Sequence, residues 1–460
     1  MEDTTQTKEN IDLIRGEPEK AIKKLSVPTI LAMIFVAGYY LVDGLWVVGL
    51  GQSAIAGIGF INPFFMIILG ISLGLSNGLA SSISRFIGAK NHNGANMAAM
   101  HSILILIIVS IILTITLFFL QKPLLIFFGA SGESLNEGLK YGTPLFLGSF
   151  GLIVTIGLTG LMRGEGEMKR AMYVIGSVVI LNIILDPIFI YTLNLGSAGA
   201  SIATVFSTFI ALIVMVYWIL IKKDTYTKIN FKNFKIDREI IFDILKVGIP
   251  SSMDMILQNI ALGMYLIFIS MLGGEYGIAV FSSAQRLYTF ATLPINAIGV
   301  TVTTVSGSAF GAKNGDYISR SHLYGSKISM ILGMIFLIIF IIFANPLASM
   351  LAFTPETSQL LGGIASFLQI GTLCLPLTSI GIASSYFYQG IGKGTASLGW
   401  TIMREIISTN VLIYVFGILL GWGLMGVWAG LAAGRSIAGI FNFLFARYTI
   451  KNINENLNAT

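Results

Sequence analysis

The chain has 460 residues, of which 55% are hydrophobic and only 11% charged, with a net charge of +6. A soluble domain carries about 25% charged residues, so the composition excludes one and implies an all-α polytopic membrane protein. One cysteine, Cys374, excludes an internal disulfide, and three widely separated histidines (His92, His101 and His322) show no metal-ligand spacing.

Residues 1–24 mix acidic and basic side chains and form a predicted cytoplasmic N-terminal segment with no cleaved signal peptide. A membrane helix needs about 20 apolar residues. Twelve such runs follow. The first lobe, 25–221, holds 25–50, 54–87, 97–120, 141–163, 171–193 and 196–221. A basic cytoplasmic linker spans 222–242. The second lobe, 243–447, holds 243–272, 276–309, 322–346, 358–387, 395–419 and 423–447, and 448–460 form a predicted cytoplasmic tail. Arg85, Lys90, Arg163, Lys169, Arg170 and the six Lys and Arg residues of 222–238 fall on one side, against only Lys122 and Lys140 on the other. The positive-inside rule then places both termini in the cytoplasm. Topology bias accounts for the net charge without nucleic acid. Contact with anionic lipid is the alternative use of the linker's basic residues.

The two lobes repeat. Leu25-Ser26-Val27-Pro28 matches Val247-Gly248-Ile249-Pro250 at an offset of 222, and Gly88-Ala89-Lys90-Asn91 matches Gly311-Ala312-Lys313-Asn314 at 223. Gly164-Glu165-Gly166 parallels Gly390-Ile391-Gly392 at 226, and the Gly199 region parallels Gly426 at 227. Six helices per lobe is an even number, so both lobes enter from the same side. A parallel repeat of this kind is one arrangement used by secondary transporters, with a site between halves that rock.

Asn182-Ile183-Ile184-Leu185-Asp186-Pro187 lies in an apolar run that is otherwise uncharged. A carboxylate there costs about 2.5–3.5 kcal/mol on insertion scales. Asn182 and Asp186 are four apart and share a helix face. Pro187 lacks an N–H and frees the carbonyl of Ile183. The group suits a small cation or a proton; the alternative is an Asp that is merely buried and satisfied. From the rise of a helix, Asp43 lies about 28 Å from the cytoplasmic edge, Asp186 about 24 Å and Thr204 about 27 Å. All three fall in the outer half of the first lobe, with Tyr39 one turn before Asp43. Paired carboxylates would hold a proton, and their oxygens would equally replace part of the hydration shell of Na⁺. Otherwise the two carboxylates never meet. In the second lobe Asp254 and Gln258 make an i, i+4 polar face for a cationic substrate or for structure. Arg286 is read as an interlobe tether. Arg404-Glu405 self-compensates or pairs across helices, and Arg435 snorkels or pairs.

No phosphate-binding loop, nucleophile elbow or zinc helix occurs, so the chain is read as a non-enzyme. A membrane-embedded aspartyl enzyme would use two Asp residues, but neither sits in a Gly-x-Gly-Asp context.

The sequence resembles the multidrug and toxic compound extrusion (MATE) family, in its DinF-like archaeal and bacterial branch. The resemblance rests on Leu25-Ser26-Val27-Pro28, Tyr39 to Asp43-Gly44, Gly88-Ala89-Lys90, Arg163-Gly164-Glu165-Gly166, Leu181-Asn182 with Leu185-Asp186-Pro187-Ile188-Phe189-Ile190, and Gln389-Gly390-x-Gly392. It covers residues from about 15 to 450. It implies two pseudo-symmetric six-helix lobes in a V shape in the plasma membrane, and a chain that works as a monomer. It also implies efflux of small organic, often cationic and amphipathic, compounds in exchange for H⁺ or Na⁺ by alternating access. A lipid-linked precursor flippase of related architecture is the alternative. Asp43, Asn182, Asp186 and Thr204 would form the cation site, with Tyr39, Pro28 and Pro187 in support and no cofactor beyond the coupling ion. Asp254, Gln258 and Arg286 remain candidates for substrate or interlobe contact. Tyr40 stands where similar sequences have Asn.

Overall fold

A computed structural model describes residues 2–230, 232, 234–355 and 357–459; the side chain of Tyr40 lies outside what it describes. Among the described residues there is no strand. The helices run α1 (Glu2–Arg15), α2 (Pro18–Val48), α3 (Gln52–Gly88), α4 (His92–Phe127), α5 (Gly132–Leu147), α6 (Ser149–Gly164), α7 (Met168–Pro187) and α8 (Gly196–Val216). Then follow α9 (Arg238–Gly311), α10 (Gly315–Ile342), α11 (Ala344–Leu351), α12 (Leu361–Ile370), α13 (Leu375–Gly390), α14 (Gly394–Thr401), α15 (Thr409–Ile413) and α16 (Gly423–Ala459).

Among the described residues, ten helical stretches are long and apolar enough to cross a membrane. Helix α9 breaks at Gly274, whose φ of 55° is open to glycine, and so makes two spans. Helices α5 and α6 are bent by 49° and together make one more. The result is twelve spans, as the hydropathy predicts. Three edges differ. The fourth span starts at Gly132 rather than 141, because Gly142 and Gly138 let the polar start of α5 pack closely on α3. The ninth starts at Gly315, capped by Asn314. The expected tail 448–460 continues α16 to Ala459, since its Lys and Glu residues support a helix that hydropathy alone does not detect.

The chain forms two compact units. The first holds the residues up to Gly16 and Val27–Met253; the second holds Glu17–Ser26 and the chain from Asp254 onward. The linker and the start of α9 therefore belong with the first unit. Arg85 and Ser82 hold Asp243 at 2.6 and 2.8 Å. Gly74 and Gly78 of α3 leave room for the backbones of Ser252 and Gly248. Helix α1 docks there too: Arg15 donates to the Ile87 carbonyl (2.9 Å) and to the Tyr226 hydroxyl (3.1 Å).

The repeat extends to backbone geometry. Lys90 and Lys313 take left-handed φ values of 55° and 53°. The next residues, Asn91 and Asn314, cap α4 and α10 with their side chains. Gly166 and Gly392 have φ 79° and 80°, and Gly196 and Gly423 have 56° and 59°. Gly199 lies against the backbone of Phe189, and Gly426 against that of Phe416. Large apolar side chains such as Ile112, Ile115 and Phe119 of α4 point outward, as expected of a chain whose solvent is lipid.

Candidate ion site in the first unit

Helix α7 carries Asn182 and Asp186 one turn apart on one face. Both are buried, with 1% and 0% exposure. The Asn182 amide Nδ2 donates to Asp186 Oδ1 at 3.1 Å and to Thr204 Oγ1 of α8 at 3.2 Å. Thr204 passes its own proton to the Ala200 carbonyl, so its oxygen is free to accept. This arrangement leaves two buried oxygens, Asn182 Oδ1 and Asp186 Oδ2, with no hydrogen-bond partner. A buried polar atom left unpaired costs about 1–3 kcal/mol. Both orphans are acceptors, on residues one turn apart on one helix face, so a proton or a small hard cation is the partner that each lacks.

Asp43 of α2 is half-buried, and its charge acts on Asp186. No salt bridge reaches either carboxylate among the described residues. Tyr39, half-buried, lies one turn before Asp43. Pro28 sits inside α2, fifteen residues before Asp43. Pro187 ends α7, and the chain continues as a wider turn over Ile188–Thr192, closed by Leu193 N–H on the Ile188 carbonyl at 2.8 Å. A wide turn follows naturally where proline removes the regular i→i−4 bond.

The wide turn presents Tyr191, which the sequence does not single out. Its hydroxyl donates to the Trp46 carbonyl at 2.6 Å, while the two rings meet edge to face at 6.3 Å. Trp46 is three residues beyond Asp43 and Tyr191 five beyond Asp186. The contact ties α2 to the end of α7 beside both carboxylates, so Tyr191 positions the pair. Tyr191→Phe is expected to weaken cation affinity about fivefold, the loss of one hydrogen bond, with little change in the melting temperature. Isothermal titration with Na⁺ at two pH values checks this.

The remaining candidates, Asp254, Gln258 and Arg286, lie in the second unit. Asp254 is half-buried and accepts from Gln389 Nε2 at 3.5 Å, while Gln258 is exposed one turn on. Arg286 is exposed and makes no ion pair within its own unit among the described residues. Arg404 and Arg435 both pair with Glu405, at 2.8 and 3.2 Å. Among the described residues no group of three or more His, Cys, Asp or Glu is placed to hold a metal.

The Arg163-Gly164-Glu165-Gly166 motif lies away from the ion site. Arg163 donates to Ser76 Oγ at 2.7 Å. Glu165 is fully buried beneath the linker and accepts from the Thr227 hydroxyl and from the Tyr226 and Thr227 N–H groups. Burial pushes its carboxyl up to about 7, against the pull of those donors and with Glu167's charge adding to the rise. The folded form therefore keeps a proton that the unfolded chain releases near pH 4.5. Its contribution to stability is present below about pH 4.5 and falls as pH rises to about 7, by roughly 3 kcal/mol at most. Glu165→Gln is expected to flatten the melting temperature across that window; parallel curves for the two proteins would contradict it.

The MatE family model matches residues 28–188 and 250–426. The chain is similar to the multidrug export protein MepA of Staphylococcus saprophyticus, 26% identical over 426 residues and covering 90% of each protein. It is similar to a solved structure described as the outward-facing conformation of a multidrug resistance MATE family transporter of the MOP superfamily. That match has a TM-score of 0.94 at 36% identity and covers 97% of this chain and 99% of the other. A MOP superfamily transporter from Pyrococcus furiosus, described as having a binding pocket of reverse polarity that suggests a different function, matches with TM-score 0.93 at 36% identity, over 96% of this chain and 98% of the other.

Proposed function

The chain belongs to the MATE family of multidrug efflux transporters, and from that premise we propose that it exports organic, often cationic and amphipathic compounds in exchange for H⁺ or Na⁺. It works as a monomer in the plasma membrane, with both termini in the cytoplasm and no cofactor beyond the coupling ion. The observation that carries the ion-coupled reading is the pair of orphaned buried oxygens on Asn182 and Asp186, beside a second carboxylate with no basic partner.

Two neighbouring carboxylates repel when both are ionised. A proton shared between Asp43 and Asp186, or a Na⁺ held by their oxygens with Asn182 Oδ1 and Thr204 Oγ1, removes that repulsion. The loaded unit then favours a closer approach of α2 to α7, and the empty unit a wider one. Pro28 allows this, since α2 lacks one backbone hydrogen bond there. An ion shifts the equilibrium only by its differential affinity for the two arrangements. If substrate binds the wider one, ion and substrate exclude each other, and alternating access makes that exclusion an antiport.

The test is efflux of a cationic dye from proteoliposomes under an imposed Na⁺ or H⁺ gradient. One gradient is expected to drive efflux by the wild type and neither to drive it in Asp43→Asn. Efflux that ignores both gradients would refute ion coupling. The relative with reverse pocket polarity motivates a second reading, a lipid-linked anionic cargo. Gradient-driven movement of a phosphate-bearing lipid in place of the dye would favour it.

A further inference from the structure

The second unit carries a charged cluster on the same three helices that form the ion site in the first, on the cytoplasmic side of the corresponding positions. Pro28 corresponds to Pro250, and the same offset of 222 carries Asp43 to Tyr265. Gly164 corresponds to Gly390, and 226 carries Asn182 to Ser408. Gly199 corresponds to Gly426, and 227 carries Thr204 to Leu431. Glu405 lies three residues before Ser408 and Arg435 four beyond Leu431. The chain runs outward in the one helix and inward in the other, so both are displaced the same way, toward the cytoplasm: by about one helical turn of 5 Å from the counterparts of Asn182 and Thr204, and by about two turns from Leu412, the counterpart of Asp186.

The contacts are made by the same three helices of the repeat. Tyr265 donates its hydroxyl to Glu405, at 2.7 Å to the carbonyl and 2.9 Å to Oε2. Arg435 Nη2 donates to Glu405 Oε2 at 3.2 Å, and Arg404 Nε to Oε1 at 2.8 Å. The Arg435 guanidinium lies over the rings of Tyr265 and Tyr288, 5.6 and 5.0 Å from their centroids. Cys374 stands behind it, 3.9 Å from the Tyr288 hydroxyl. The charge of Arg404 also acts on Asp254. Glu405 thus pairs with two guanidinium groups, Arg404 and Arg435, and Asp254 is a second carboxylate within range of the Arg404 charge, all four in membrane-spanning helices. The ion site of the first unit has two carboxylates, Asp43 and Asp186, and no salt bridge on either among the described residues.

We propose that Arg435 is a resident cation: it occupies in the second unit the role that the coupling ion takes in the first, so that only the first unit exchanges an ion. The proposal rests on the ion-coupled reading of Asp43 and Asp186. It assigns the asymmetry between two homologous units to one side chain. A tethered guanidinium cannot be exchanged, and the flanking tyrosine faces suit a planar cation rather than a hydrated one. Removing it leaves two carboxylates against one guanidinium, the charge deficit that a mobile cation fills.

The experiment measures equilibrium binding of radioactive Na⁺, and proton release on Na⁺ addition, with full-length protein in nanodiscs. The background is Asp43→Asn/Asp186→Asn, which removes the first unit's site. Arg435→Met is expected to gain about one bound cation per chain. Adding Glu405→Gln is expected to remove that gain, and Arg435→Lys to show none. A folded Arg435→Met that gains no cation, or a gain that survives Glu405→Gln, overturns the proposal. Should Arg435→Met alone fail to fold, the charge-matched Glu405→Gln/Arg435→Met pair decides in the otherwise wild-type chain. It is expected to keep the wild-type ion stoichiometry of transport, and a changed stoichiometry overturns the assignment. Failure of the first-unit reading shows separately, as cation binding that persists in the Asp43→Asn/Asp186→Asn background itself.

Discussion

Asp186→Asn is expected to abolish gradient-driven transport and to leave the protein at least as stable as the wild type. The substitution keeps the shape of the side chain and an oxygen to accept from Asn182 Nδ2. It replaces Oδ2, which has no partner, with a neutral amide nitrogen. The cost of holding an unpaired buried carboxylate is then removed without an ion. The charge that draws the cation is gone, and a charged hydrogen-bonding group is worth about 1.5–3 kcal/mol, roughly 10- to 100-fold in affinity. Higher stability with lost activity is the pattern expected where function keeps a site unsatisfied. Paired measurements of dye efflux and of thermal unfolding check both halves. A variant that melts well below the wild type would assign Asp186 a structural role instead.

Gly199→Ala is expected to cost both stability and ion affinity, whereas Gly426→Ala costs stability alone. A Cβ on Gly199 would lie 2.6 Å from the Phe189 carbonyl, and one on Gly426 would lie 2.4 Å from the Phe416 carbonyl. Backbone cannot swing aside as a flexible side chain does, so each substitution pushes its helix pair apart, at about 1–3 kcal/mol. In the first unit the contact joins α8 to the wide turn that follows α7, and the Asn182–Thr204 bond at 3.2 Å links α7 to α8 beside it. In the second unit the same displacement meets Glu405, which arginines hold from its own helix and from α16. Thermal unfolding and Na⁺ titration of both variants separate the two effects. Equal loss of ion affinity in the two would show that packing alone, rather than the first unit's oxygens, governs binding.

Much of this is legible in the sequence because it depends on neighbours along the chain. Twelve spans follow from apolar runs, and the lobes from matched motifs at a drifting offset. Asn182 and Asp186 share a face by helix geometry, and they do bond to each other. Contacts between distant segments leave no such trace. Nothing in the order of residues pairs Tyr191 with Trp46, 145 positions apart. The Arg-Gly-Glu-Gly motif stands out as a signature, but its Glu165 works by holding the backbone of the linker, 61 and 62 residues on. Arg404, Glu405 and Arg435 are conspicuous as intramembrane charges, and the alternatives of self-pairing and cross-helix pairing both hold. Their correspondence to the first unit's site emerges only when the repeat offsets are laid over the contacts.

Direct cation binding tests whether Asp186 holds the coupling ion. Purified wild-type protein is expected to bind Na⁺ in competition with protons, releasing protons when Na⁺ is added, and Asp186→Asn is expected to do neither. Undiminished Na⁺ binding or proton release by Asp186→Asn would contradict the assignment of the coupling ion to this site.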